Sequence, residues 1–367
     1  MFRRSDGGFF DKTLKVDLIV TIRPPASLPG FRHRLAVIAA GLAVWTGAAD
    51  LLDADQPAAS VYSRRSDPAA AGGAAEPAPK PDATATATPD AASQAVVQAA
   101  AEAAAQAERI MASSLAVLAR ADSITLKLRQ KARVGDRVLV GTGRYVQSGQ
   151  GEEQRFRFDS TLTCDTETFE LTEVSDGLFC WTHRHNGNEP ATLQRIDVRR
   201  VRGRLAELKA PEAADGTVYL GGLQRSLRLL RHWFRFTQAT PGDLDGVPVW
   251  ILDGSWPTEL LTYVLPELKD RAATPDAIGP ADLPDGTPWC IRLCIAKNDL
   301  VPRRVEWLAI PGPRPVADAP PEPIAVMDLY DVELNGPVDA TAFFYQPATE
   351  GLVDVTEMSV NGLGLMR

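Results

Sequence analysis

From Ile124 onward the chain alternates apolar and polar residues with a period of two, over runs longer than most strands. In "SITLKLRQKARVGDRVLVGTGRYVQSGQGEEQRFRFDSTLTC", Ile124, Leu126 and Leu128 share one side, and Thr125, Lys127 and Arg129 the other. Successive strand side chains point to opposite faces, so the pattern specifies half-buried antiparallel strands. Gly135–Asp136 and Gly149–Gly151 mark the first two turns. Phe156, Phe158 and Leu162 then point one way, and Arg155, Arg157 and Asp159 the other. "ETFELTEV" and "LFCWTHR" continue the meander through Asp176–Gly177, a favoured hairpin dipeptide. "ATLQRIDV" adds another strand.

The period then changes. Leu220, Leu223, Leu227 and Leu230 stand at helical spacing, with Arg225, Arg228 and Arg231 opposite, although Gly221 and Gly222 weaken the start of that helix. Strands resume at "HWFRFTQAT" and, after a Gly242–Gly246 turn, at "VPVWILDG". A short helix, "TELLTYVL", follows Pro257, and residues 270–287 read as a Pro/Gly/Asp-rich loop. "PWCIRLCIAKN", "VPRRVEWLAI" and "PIAVMDLYDVELN" close the pattern. The expected fold is mainly β (α+β), with about eleven antiparallel strands. A sheet of that size curls, and its edges need covering. The reading is a curled, incomplete barrel with an N-terminal helix and helical lid segments.

The part before the strands is of another kind. Residues 1–49 form an extension in which Arg32, His33 and Arg34 precede the apolar run 35–45 and the small residues around Ala48. That is the pattern of an export signal, too short for a membrane span of ~20 residues. It is expected either to be cleaved or to stay as an uncleaved N-terminal anchor. No Cys follows the run, so no lipid-attachment site is expected there. Residues 50–91 are rich in Ala, Pro, Thr and Asp and bury too little to offset their ordering entropy, which makes them a disordered linker. The folded domain is expected over 92–367, beginning with an Ala-rich helix whose second half carries Ile110, Leu115, Val117 and Leu118. The net charge of −8 argues against nucleic acid as a partner, since phosphate binding needs clustered Lys and Arg.

Three segments resemble a known family. They are the helix-to-strand entry "LARADSITLKLRQKARVGDRVLVGTGRYVQSG", the hairpin "VSDGLFCW" and the closing "VELNGPVDATAFFYQPATEGLVDVT", where Asp339, Ala340 and Phe344 precede Pro347 and a Val-Asp ending. Their order and spacing are similar to those of LolA/LolB-like periplasmic lipoprotein carriers, over a core of about 107–356. The resemblance implies an unclosed eleven-strand barrel under a helical lid, carrying lipoprotein acyl chains in the periplasm or cell envelope. The Arg-Pro pair that follows the second long strand in the family, and helps hold or release its lid, is absent here. The sequence reads "YVQSGQGEE" there, so that lid chemistry is not carried over.

A helix-covered half-barrel offers an apolar cavity. The expected cavity residues are Phe156, Phe158, Trp181, Trp250, Trp289, Ile291, Leu293 and Trp307, and the lid residues are Leu220, Leu223, Leu227 and Leu230. For each aromatic the alternative is ordinary core, because alternation does not say which face is concave. The partners implied are a lipid or acylated protein, envelope proteins and a membrane surface. No catalytic residue, metal or cofactor is expected. There is no HExxH, P-loop or GxSxG, and His183 and His185 share a strand face with only His232 left as a third ligand in the folded part. Cys290 and Cys294 lie ~13 Å apart along one strand and cannot bond each other. With Cys164 and Cys180 they are expected to be buried free thiols, the alternative being a bond from Cys164 or Cys180 to Cys290 or Cys294 across the barrel. The functional expectation is non-enzymatic binding of hydrophobic cargo, and the alternative is an envelope interaction or sensing module with a filled interior.

Overall fold

The computed structural model describes residues 91–363 apart from 135–136, 188–189, 208–220, 266–267, 270, 272–277, 284–286, 310–320 and 349. The N-terminal extension, nearly all of the linker, the Gly135–Asp136 turn and Leu220 therefore lie outside the described residues. Helix α1 (Ala91–Arg120) leads into β1 (Ser123–Val134), β2 (Arg137–Ser148), β3 (Arg155–Cys164), β4 (Glu167–Ser175), β5 (Phe179–Asn186) and β6 (Thr192–Asp197). Helices α2 (Val198–Glu207) and α3 (Gly222–Trp233) follow, then β7 (Arg235–Leu244), β8 (Val247–Ser255) and α4 (Thr258–Val264). Strands β9 (Cys290–Ala296), β10 (Pro302–Ala309), β11 (Glu322–Leu334) and β12 (Leu352–Asp354), and helix α5 (Thr356–Leu363), complete the chain. Among the described residues no helix is long and apolar enough to cross a membrane.

The strands form one 12-stranded sheet in the order β12-β6-β5-β4-β3-β2-β1-β11-β10-β9-β8-β7. Two meanders meet where β1 pairs antiparallel with β11, from Ile124 opposite Leu334 to Ala132 opposite Ala325. Strands β7 and β12 each have a neighbour on one side, so the sheet is open. It is also curled, because α3 touches both β3 and β7, which six strands separate in the sheet. Helix α1 packs on β7 and α3, covering the edge that β7 would otherwise present. Pro241 fits within β7 because an edge strand has no outer ladder to break.

One sequence expectation needs correcting, and the count of about eleven strands is sharpened. The β7–β8 turn is narrower than Gly242–Gly246. Strand β7 runs on to Leu244, and Asp245 (φ 53°) with Gly246 (φ 84°) make a two-residue turn of the kind that matches strand twist. The strand count is twelve, because Leu352–Asp354 adds parallel to β6. The helices also exceed expectation. Val198, Val201 and Leu205 bury one side of α2, a helix the strand reading of "ATLQRIDV" did not anticipate.

Candidate ligand-binding concavity

Cross-strand register fixes which side chains share the concave face. Trp307 stands opposite Ala325 and Ile291, Leu293 opposite Leu252, and Ile295 opposite Trp250. Across β1 the same face continues through Leu128 and Leu126 to Tyr145, Phe158 and Phe156. Phe156, Phe158, Ile291, Leu293 and Trp307 are buried in one apolar cluster, and Trp250 packs half-buried at its margin with Lys297 Nζ 4.3 Å from the ring centroid. Trp289 precedes β9, where its N–H donates to the Leu308 carbonyl (2.7 Å).

Trp181 is on the other face, which corrects its assignment to the cavity. It pairs with Val174, and Val174 with Arg157, so it points away from Phe156 and Phe158. Outside the sheet it meets Phe179 and Tyr345 at centroid distances of 6.0 and 6.3 Å, and the Arg195 guanidinium lies 5.7 Å from its ring. Within "FCWTHRHN", Cys180, Thr182 and Arg184 take the inward positions. His183 and His185 share the outward register with Trp181, and His232 sits at the exposed end of α3.

The described lid residues Leu223, Leu227 and Leu230 are all buried and project from α3 into the concavity. Met111, Leu115 and Leu118 of α1 join the same cluster. The start of α3 fits closely. A Cβ at Gly221 would stand 2.5 Å from Phe156 Cζ, and one at Gly222 2.8 Å from the Tyr145 hydroxyl oxygen. The two glycines, unfavourable for helix formation, thus let the helix dock.

A buried polar network that composition did not signal ties these parts together. The Leu223 N–H donates to the Tyr145 hydroxyl (3.2 Å), which donates to Gln147 Oε1 (2.7 Å). Gln224 Nε2 and Gln147 Nε2 both donate to the Leu118 carbonyl (2.9 and 3.4 Å). Burial holds the Tyr145 phenol well above its usual range, so it stays a neutral donor. Glu173 is also buried on this face. Its alternation with Leu171 and Ser175 was the available signal. An Arg231–Glu108 ion pair adds a surface link between α3 and α1.

Among the described residues one small void on the concave face, of about 10 Å³, is bounded by Leu126, Leu128, Tyr145, Phe158, Glu173, Gly222 and Leu223. That is room for about one water and no more. A larger, open groove of about 390 Å³ runs outside, between α1 at Val117 and Arg120 and the loop ends at Leu300 and Asn335. All four cysteines are free, and burial pushes the Cys290 and Cys294 thiols up to about 11. Among the described residues no group of His, Cys, Asp and Glu is arranged to hold a metal ion.

No family model matches the chain, and no curated protein matches it at a significant level. Among solved structures it is similar to a putative outer membrane lipoprotein-sorting protein domain from Vibrio parahaemolyticus (10% identity, 66% of this chain and 97% of that one, TM-score 0.25). It is similar too to LprF from Mycobacterium bovis (10% identity, 64% and 95%, TM-score 0.27). A LolA superfamily protein from Nitrosomonas europaea also matches (12% identity, 65% and 97%, TM-score 0.22). At such identities and TM-scores no property of these proteins is carried over, and the site is read from this chain's own side chains.

Proposed function

We propose that this chain is a non-enzymatic binder of hydrophobic cargo, lipid or lipoprotein acyl chains, which it takes into the concavity beneath α3. One observation carries the reading: the concave face is filled by the leucine row of an amphipathic helix, Leu223, Leu227 and Leu230, and not by the sheet's own side chains alone. Beside the start of α3 the described void holds about 10 Å³, so in this reading α3 moves aside as cargo enters. The exchange is energetically reasonable. Re-exposing three leucines costs roughly 1.5–3 kcal/mol each, and an acyl chain of about a dozen methylenes regains ~0.8 kcal/mol for each one buried. In this reading residues 1–49 direct export, 50–91 tether, and 92–367 form the binding domain, working in the periplasm or envelope.

The test is organic extraction of the protein purified from a bacterial host, followed by mass spectrometry. Acyl lipid at close to one per chain is expected. Its absence, together with failure to take up an added fatty-acyl probe, would sink the proposal. The small void favours a second reading, an interaction or sensing module whose interior stays filled. The two differ in amide exchange. A displaceable α3 exchanges by local opening, ahead of β1 and β11, whereas a permanent one exchanges only with global unfolding.

A further inference from the structure

Charge is distributed unevenly over this fold. Helices α2 and α3 with Arg235 carry eight arginines (Arg199, Arg200, Arg202, Arg204, Arg225, Arg228, Arg231, Arg235) against one carboxylate, Glu207, in a chain of net −8. Several basic groups of the sheet are matched in cross-strand pairs. On the outer face of the sheet Arg292 Nε lies 2.8 Å from Asp253, Arg304 Nε 2.6 Å from Asp328, and Lys127 Nζ 3.0 Å from Asp331. The arginine-rich helices stand where the sheet is open, since α2 leaves β6 beside one edge and α3 enters β7 at the other.

Several of these arginines reach solvent. The side chains of Arg199 and Arg200 are 65% and 57% exposed. Glu357, Glu207 and Glu108, the partners of Arg200, Arg204 and Arg231, are themselves on the surface, whereas Asp197, the partner of Arg199, is only 21% exposed. Exposed ion pairs of this kind are weak and exchangeable. Beside α2, the β12–α5 segment that packs against it leaves Val353 54% and Met358 38% exposed. Arginines flanked by exposed apolar side chains are the combination that suits a lipid interface.

We propose that the exposed α2 arginines, with Val353 and Met358 beside them, dock on an anionic lipid surface. A nucleic acid long enough to bind tightly would also meet the acidic remainder of the chain, which a membrane docked on these helices would not. The proposal does not depend on what the concavity binds.

The experiment is flotation of the full chain with vesicles of phosphatidylcholine alone or mixed with phosphatidylglycerol. Binding is expected to the mixed vesicles and to fade as salt shortens the Debye length. Arg199→Glu with Arg200→Glu is expected to weaken binding at least about tenfold, while Arg129→Glu with Arg133→Glu on the outer face leaves it unchanged. Circular dichroism checks folding, and Arg199→Gln with Arg200→Gln replaces the reversal if that variant unfolds. Equal binding to neutral vesicles, no binding at low salt, or loss with both double variants would overturn the proposal. Tighter, patch-dependent binding of a short RNA duplex would overturn the choice of partner. None of these outcomes bears on lipid extraction from the concavity.

Discussion

Gly222 has a backbone φ of +79° and no room for a side chain against the Tyr145 hydroxyl, so conformation and contact both demand glycine. Gly222→Ala is expected to cost about 1–3 kcal/mol in urea unfolding, more than an exposed helix-start substitution would. Asp354 gives a pH-dependent counterpart. Its carboxylate accepts hydrogen bonds from Thr356 and from Arg195 (2.6 Å), which hold its pKa down to about 2. A carboxylate depressed in the native state stabilises at neutral pH, and that contribution is lost as pH falls from about 4 through about 2. Asp354→Asn should therefore lower the urea midpoint at pH 7 and leave it nearly unchanged at pH 2. Because the side chain is 44% exposed, the effect should be small.

Among the elements, α1 divides into two functionally different halves. Residues 94–102 are exposed, whereas Ala107, Met111, Leu115 and Leu118 are fully or almost fully buried. A chain beginning at residue 101 is expected to unfold within about 2 °C of the longer one, while Leu118→Ala should cost about 2–5 kcal/mol. Thermal and urea unfolding measure the two effects. The same contrast explains what the sequence made legible. Period-two runs such as Ile124–Leu128 and Phe156–Phe158 announce strands because one face of each is buried and the other wet. Strand β12 carries no such signal: three residues pair parallel with β6, and Arg195 meets Asp354 159 positions away. Alternation grouped Phe179, Trp181 and His183 correctly but left their side undecided. Only the pairing of Cys180 with Ser175, itself opposite Phe156, turns Trp181 outward. The burial of Gln224 and Gln147 carries no local signal, because their carbonyl partner, on Leu118, belongs to another element.

For the whole molecule, the β1–β11 seam matters more than the connection from β6 to β7. The two halves of the chain share a long ladder there, broken by one register shift between Thr125 and Lys127, and α1 also packs on β7. Cleavage at a protease site placed between residues 208 and 220 is expected to give two fragments that co-elute on gel filtration and separate only in denaturant. Separation in native buffer would mean that the seam is weaker than its eight paired positions suggest. The seam also has a consequence for biosynthesis. Lys127 emerges from the ribosome 204 residues before Asp331, its partner across that ladder. At about 5–20 residues per second, β1 waits on the order of 10–40 s for its second neighbour. Throughout that interval one side of an early, long strand is an unsatisfied pairing template, and a nascent chain in that state is a natural client for holding chaperones.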